Sequence, residues 1–127
     1  EALNVADVIS CATLSESPLI MGDWIKSGQH LDLVGAFTPN MAEVDSQTIA
    51  MSKVVVDTYE GALSESGEII TALKEGHIKE KHILSDLREL VLEEKNIRNH
   101  SNDITLFKSV GTALEDLAAA ELVIEKN

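Results

Sequence analysis

The fold of this chain is decided by residues 30–39, which read His30-Leu31-Asp32-Leu33-Val34-Gly35-Ala36-Phe37-Thr38-Pro39. The apolar run from Leu31 to Ala36 predicts a short buried strand that stops near a glycine and enters a loop closed by Pro39. In a parallel α/β sheet, ligands bind where strands end, beside the amino ends of helices. The stretch therefore predicts a ligand-facing strand end, if the rest of the chain supplies such a sheet.

Apolar runs elsewhere predict the other strands, at residues 5–12, 53–57 and 103–108. Helical patterns lie between and after them, at 41–52 with Asp45 as N-cap, 58–66, 68–75, about 82–94, and from 110 onward. Strands that alternate with helices favour right-handed crossovers and a mostly parallel sheet. We therefore expect an α/β fold, an incomplete Rossmann-like, doubly wound sheet of about four strands with flanking helices and a C-terminal helix.

The charge balance excludes several classes of partner. The net charge is −12, from 22 acidic and 10 basic residues, which argues against nucleic acid and against anionic membrane surfaces. No apolar run approaches the roughly 18 residues that span a bilayer.

The single cysteine, Cys11, excludes an internal disulfide framework and favours a reducing, cytoplasmic location. Because the sequence starts at Glu1 and soon enters an apolar strand, we expect it to be part of a longer protein.

Two strand ends carry residues suited to a nucleotide, and each has a structural alternative. Thr13, Leu14 and Ser15 follow the first strand, where they would contact a nucleotide or form a capped turn before a proline. The small residues of the segment Val34-Gly35-Ala36 would let a flat ring approach the backbone. Tight packing against a helix explains that segment equally well. Phe37 would wall a pocket or fill the core.

The segment Lys108-Ser109-Val110-Gly111 lies where a strand passes into a helix. Free amides at that helix start, with a hydroxyl and a lysine beside them, would hold a carboxylate or a phosphate. The alternative is that Ser109 caps the helix and that Lys108 is solvated.

Other catalytic patterns are missing from the sequence. The histidines at 30, 77, 82 and 100 show no metal-ligand spacing, so no metal site is expected. Cys11 lies within a strand and is better explained as a small buried hydrophobe than as a nucleophile. Asp32 and Asp57 form no evident carboxylate pair for acid–base work. No G-x-G-x-x-G turn and no glycine-flanked serine elbow are present.

Longer motifs resemble the ornithine cyclodeaminase/mu-crystallin family. They are Ala-Asp-Val-Ile-Ser-Cys-Ala-Thr at 6–13, Gly-Asp-Trp-Ile-Lys-Ser-Gly-Gln-His at 22–30, Val-Val-Asp at 55–57, the segment 60–69, Ile-Thr-Leu-Phe-Lys-Ser-Val-Gly at 104–111, and Leu-Glu-Asp-Leu-Ala-Ala-Ala at 114–120. The resemblance covers nearly the whole chain, and the segment Phe-Lys-Ser-Val-Gly at 107–111 is its most specific part.

The resemblance implies an NAD- or NADP-dependent enzyme with a Rossmann domain and a separate substrate and dimerisation domain. Residues 1–108 would form the C-terminal half of the Rossmann domain, and residues 109–127 a C-terminal helix that packs towards the other domain. The Gly-rich phosphate turn and the substrate-carboxylate ligands of the family would lie upstream. Residues carried over are cofactor contacts at Thr13, Leu31, Asp32, Leu33 and Val34, and a substrate contact at Val110.

One departure from the family pattern bears on the reaction. Cyclodeaminases have a catalytic Asp where this chain has Phe37, so deamination would lack its acid–base group. The segment Phe-Thr-Pro-Asn-Met-Ala-Glu-Val-Asp at 37–45 resembles the branch that reduces cyclic ketimines such as Δ1-pyrroline-2-carboxylate. The resemblance thus implies a fragment of an imine reductase, inactive alone, acting with a small cyclic imino or amino acid. Ornithine cyclodeaminase and a non-catalytic, self-associating module remain alternatives. Because a missing half would leave an open sheet edge and apolar helix faces, we expect a homo-oligomer.

Overall fold

The computed structural model describes residues 2–126; Glu1 and Asn127 lie outside the described residues. The described residues form five strands and five α-helices. In chain order they are β1 (Val8–Cys11), β2 (His30–Leu33), α1 (Ser46–Met51), β3 (Lys53–Val56), α2 (Tyr59–Glu65), α3 (Gly67–Lys74), β4 (Ile83–Asp86), α4 (Leu87–Leu92), β5 (Thr105–Lys108) and α5 (Ala113–Glu125). Short 3₁₀ turns cover Ala2–Asn4, Gly22–Trp24 and Glu80–His82.

The strands form one parallel sheet in the order β1-β2-β5-β3-β4. The expected α/β class and parallel sheet are confirmed, with one strand more than predicted. Residues 83–86 are β4, where the apolar spacing predicted the start of a helix. The strand β4 is followed at once by α4, which spans only Leu87–Leu92. The alternating repeat of the strand therefore runs directly into the helical repeat of α4, and the two were predicted as one helix.

One face of the sheet carries the hydrophobic core. Three forward crossovers lead from β1 to β4, and their right-handedness places them all on the same side of the sheet. The buried side chains on that side include Leu31, Leu33, Val54, Val56 and Leu106, each no more than 1% exposed, and they pack with Ile49 of α1 and Ile69 of α3. The crossover from β4 back to β5 covers part of the other face with α4.

The polar segment after α4 is held in place by Arg98. Its guanidinium donates hydrogen bonds to the carbonyls of Gly28, at 3.0 Å, and Asp103, at 2.6 Å, and to the hydroxyl of Thr105, at 2.9 Å. The Asp103 carboxylate also pairs with Lys53 at 2.6 Å. The segment between α4 and β5 is therefore a fixed connection.

The helix ends confirm one local prediction and revise another. Asp45 is the N-cap of α1, and its carboxylate accepts from the backbone N–H of Thr48 at 2.9 Å. The helix begins at Ser46 rather than at Met41, because the preceding residues run extended and Val44 forms a β-bridge with Ile20. In α5, every described side chain from Ala113 to Glu125 is exposed.

Candidate functional site

The carboxyl ends of the strands bring the predicted site segments together at one edge of the sheet. Register pairs Cys11 with Leu33, Leu33 with Lys108, and Lys108 with Val56. The segments that follow β1, β2, β3 and β5 therefore lie side by side. We call this edge the carboxyl crevice, and it contains Thr13, residues 34–37, Asp57 and residues 109–111.

The residues carried over for cofactor contact differ in how they reach the crevice. Leu31 and Leu33 are fully buried in the core. Asp32 points to the other face, where it accepts a hydrogen bond from Ser10 Oγ at 2.9 Å. Thr13 and Val34 lie beyond the strand ends, and Val34 is 44% exposed. Of these five residues, Thr13 and Val34 are the ones whose positions leave them accessible at the carboxyl crevice.

A buried carboxylate joins the first two strand ends. Glu43 is fully buried, and its Oε1 accepts from the backbone N–H of Thr13 at 2.6 Å. Its Oε2 accepts from the N–H of Gly35 at 2.9 Å. A Cβ at Gly35 would overlap this carboxylate and the carbonyl of Thr13. The small residue at position 35 is thus required by a side chain and a loop, rather than by a helix as the packing alternative assumed.

Lys108 is a buried cation, which corrects the expectation of a solvated or anion-binding lysine. Its side chain has no exposed surface, and its Nζ donates to the carbonyl oxygen of Gly35. The Nζ also lies 3.3 Å from Glu68 Oε1, in an ion pair between two fully buried groups. Because these contacts occupy its Nζ, Lys108 is not available to bind a substrate carboxylate.

Glu68 is the member of this ion pair whose oxygen atoms lack hydrogen bonds from the described residues. Neither of its oxygens makes an aligned hydrogen bond within residues 2–126, so its ion pair with Lys108 is its polar support. Burial raises the pKa of the Glu68 carboxyl to about 7, although Lys108 lowers it, and the charge on Glu43 adds to the rise. The carboxyl of Glu68 is therefore partly protonated at neutral pH.

The amides predicted to bind an anion already bind one, the carboxylate of Asp57. Its Oδ2 accepts from Ser109 Oγ at 3.0 Å, Val110 N–H at 2.8 Å and Gly111 N–H at 2.9 Å. These groups are therefore not free for a ligand anion, because the carboxylate that they bind belongs to the chain. Ser109 is not a helix cap; the N-cap of α5 is Thr112.

The segment after β2 presents an apolar wall from a strained backbone. Ala36 is fully buried with a φ of 43°, in the left-handed region that non-glycine residues rarely adopt. Its neighbours Val34 and Phe37 are 44% and 43% exposed. Phe37 is therefore a surface group at the crevice and not a core filler. Val110 lies nearby, half-buried, with its Cγ2 against Gly61 at the start of α2.

Glu43 and the structural role of Asp57 were missed from the sequence. A signal for Glu43 exists, since it stands between apolar neighbours in the segment Met41-Ala42-Glu43-Val44, where a carboxylate must be buried and paired. Asp57 directly follows an apolar strand, which places it at the sheet edge. Most of the groups that bond to Glu43 and Asp57 lie far away in the sequence, so residue spacing could not reveal these contacts.

Other candidate chemistries find no support in the part of the chain that is described. Within residues 2–126, no three His, Cys, Asp or Glu side chains gather closely enough to hold a metal ion. No helix there is long and apolar enough to cross a membrane. Burial raises the pKa of the Cys11 thiol, which disfavours the reactive thiolate.

Comparison with known proteins gives a consistent family. The sequence model of the ornithine cyclodeaminase/mu-crystallin family matches residues 1–127. The Δ1-pyrroline-2-carboxylate reductase of Colwellia psychrerythraea is 38% identical over 121 residues, which cover 95% of this chain and 38% of the relative.

Two solved structures share the fold. The Δ1-pyrroline-2-carboxylate reductase of Thermococcus litoralis, in complex with NADH and L-proline, matches with a TM-score of 0.93 and 45% identity, over 98% of this chain and 39% of that one. An archaeal alanine dehydrogenase dimer with bound NAD matches with a TM-score of 0.84 and 33% identity, over 94% and 36%. The chain thus spans about two-fifths of the length of these proteins.

Proposed function

Because the chain belongs to the ornithine cyclodeaminase/mu-crystallin family, we propose that it forms the nicotinamide side of an NAD(P)H-dependent reductase for cyclic ketimine acids such as Δ1-pyrroline-2-carboxylate. The observation that carries the proposal is the close match to a reductase solved with NADH and L-proline. Residues 1–108 supply part of the cofactor-binding sheet, and residues 109–127 supply a helix for the rest of the protein.

The carboxyl crevice fits a flat, uncharged ring. Val34 and Phe37 present apolar surface at its wall, and Thr13 and Val110 lie at the adjoining strand ends. The amides at 109–111 are occupied by Asp57. A substrate carboxylate therefore binds to groups other than these, which the family resemblance places upstream.

The reaction adds a hydride to the imine carbon and a proton to its nitrogen. Nicotinamide supplies the hydride when it is bound. The residues of this chain orient and shield the ring. Val34 and Phe37 exclude water from one side of it, and the loop that contains Thr13 bounds it on the adjoining side. Phe37 carries no proton, so the proton for nitrogen comes from a group outside this segment or from water.

The test is an assay of the complete translated chain with NADH or NADPH and Δ1-pyrroline-2-carboxylate. We expect oxidation of the reduced cofactor and formation of proline. Absence of oxidation with every cyclic ketimine acid would overturn the proposal. Ammonia release from ornithine in the same preparation would favour cyclodeamination instead. Calorimetry of residues 1–127 with both nucleotides tests whether this part binds cofactor without the rest; we expect no catalysis from it alone.

A further inference from the structure

We propose that Glu43 is a positioning residue of the carboxyl crevice, which fixes the loop after β1 and the loop after β2 relative to each other. The inference rests on the proposed function in so far as these loops bind cofactor. The two oxygens of the carboxylate divide between the loops: Oε1 takes the N–H of Thr13, and Oε2 takes the N–H of Gly35. One rigid planar group therefore sets the spacing of two strand ends.

Glu43 is itself anchored by its backbone. Its carbonyl accepts from the N–H groups of Leu19 and Ile20 at 2.9 and 3.0 Å. The next residue, Val44, pairs with Ile20 in the β-bridge and is 1% exposed. The preceding residue, Ala42, donates its N–H to the carbonyl of Ser15 at 2.9 Å. The segment 42–44 is thus held on both sides, which fixes the position from which the Glu43 carboxylate binds the two loops.

The Gly35 peptide is held from both directions by buried charges. Its N–H donates to Glu43, and its carbonyl oxygen accepts from Lys108 Nζ. Hydrogen bonds to charged groups are stronger than those between neutral groups, and in a buried site no water competes for them. The following residue is Ala36 in its left-handed conformation, which persists only where the surroundings determine it. The hydrogen bonds from Gly35 to Glu43 and from Lys108 to Gly35 hold Ala36 in that conformation, and they orient Val34 and Phe37 towards the crevice.

The variant Glu43→Gln tests this role. It keeps the shape of the side chain but replaces one acceptor by a donating amide group, so one of the two loop amides loses its partner. The matched control is Glu65→Gln, the same chemical change at an exposed glutamate of α2 that bonds to neither loop amide. Both variants are made in the complete translated chain, and residue-resolved amide hydrogen exchange and steady-state kinetics are measured.

We expect Glu43→Gln to accelerate exchange at Thr13 or Gly35 by about tenfold or more, with the core amides of Leu33 and Val56 changing much less. The KM for the reduced nicotinamide cofactor should rise by about tenfold, with a smaller change in kcat. Glu65→Gln should leave the exchange of both loop amides near that of the wild type.

Three results overturn the inference: unchanged exchange at both loop amides, acceleration that is uniform over the sheet, or the same local change in Glu65→Gln. If Glu43→Gln does not fold, Glu43→Asp is measured instead, because its shorter carboxylate reaches one loop at most. Failure of both variants to fold would assign Glu43 to general stability and overturn the inference. A wild-type protein that binds no nicotinamide cofactor would defeat the proposed function, while the exchange data would still decide the role of Glu43.

Discussion

Among single residues, Glu68 couples stability to pH, because its carboxyl is buried in an ion pair with Lys108 and feels the charge of Glu43. Burial raises the pKa of this carboxyl from 4.5 to about 7 in the folded chain. Between those values the folded protein binds a proton that the unfolded chain does not bind. The contribution of Glu68 to stability therefore falls as the pH rises through that window.

The variant Glu68→Gln stays neutral at every pH and should lose this dependence. Relative to the wild type, its free energy of unfolding should rise by up to about 3 kcal/mol between about pH 4 and about pH 8. Urea titrations at a series of pH values measure this difference. Glu65→Gln on the exposed face of α2 serves as control. Parallel pH profiles for Glu68→Gln and the wild type would contradict the role assigned to burial.

Between elements, Asp57 connects the end of β3 to the turn between β5 and α5. One of its oxygens accepts three hydrogen bonds from residues 109–111, and the other accepts from Thr58 N–H at 2.7 Å. An asparagine presents only one acceptor oxygen, so Asp57→Asn should lower the free energy of unfolding by about 1–3 kcal/mol. Denaturant unfolding measures the loss.

The control for Asp57→Asn is Asp7→Asn, which makes the same chemical change at an exposed position before β1. A second reporter is the amide exchange of Val110 and Gly111, which should accelerate in Asp57→Asn alone. Equal midpoints for the two variants would show that the turn is held by other contacts.

Local elements were predictable, while long-range contacts were not. The N-cap at Asp45 depends on residues within one turn, and spacing alone located it. The strand at Ile83–Asp86 was read as helix because Ile83, Leu84 and Leu87 satisfy a helical period as well. Lys108 was expected to bind an anion or to be solvated, because lysines rarely lie fully buried. Its partner Glu68 lies on another element, and only the folded sheet brings them together.

At the scale of the whole molecule, α5 leaves a large apolar surface uncovered. Leu114, Leu117, Leu122 and Ile124 are between 51% and 76% exposed, and Val91 and Leu92 of α4 are 66% and 67% exposed. Surfaces of this kind are typical of contacts between chains or domains. We therefore expect residues 1–127, expressed alone, to self-associate through α5.

The double variant Leu114→Gln, Ile124→Gln should shift the chain towards monomer in analytical sedimentation, without a change in net charge. Glu121→Gln on the same helix is the control and should leave the distribution of species nearly unchanged. A wild-type chain that sediments as a monomer at all concentrations would contradict the expectation. So would a double variant that associates as strongly as the wild type.

The strand at the centre of the sheet is also the last of the five described strands in the sequence. β5 lies between β2 and β3, so without residues 105–108 the other described strands form only the separate pairs β1–β2 and β3–β4. Two-stranded units are marginally stable in water, and their unpaired edges invite association with other chains. Among the described residues, truncation before Thr105 should thus leave two separate strand pairs that share no common sheet.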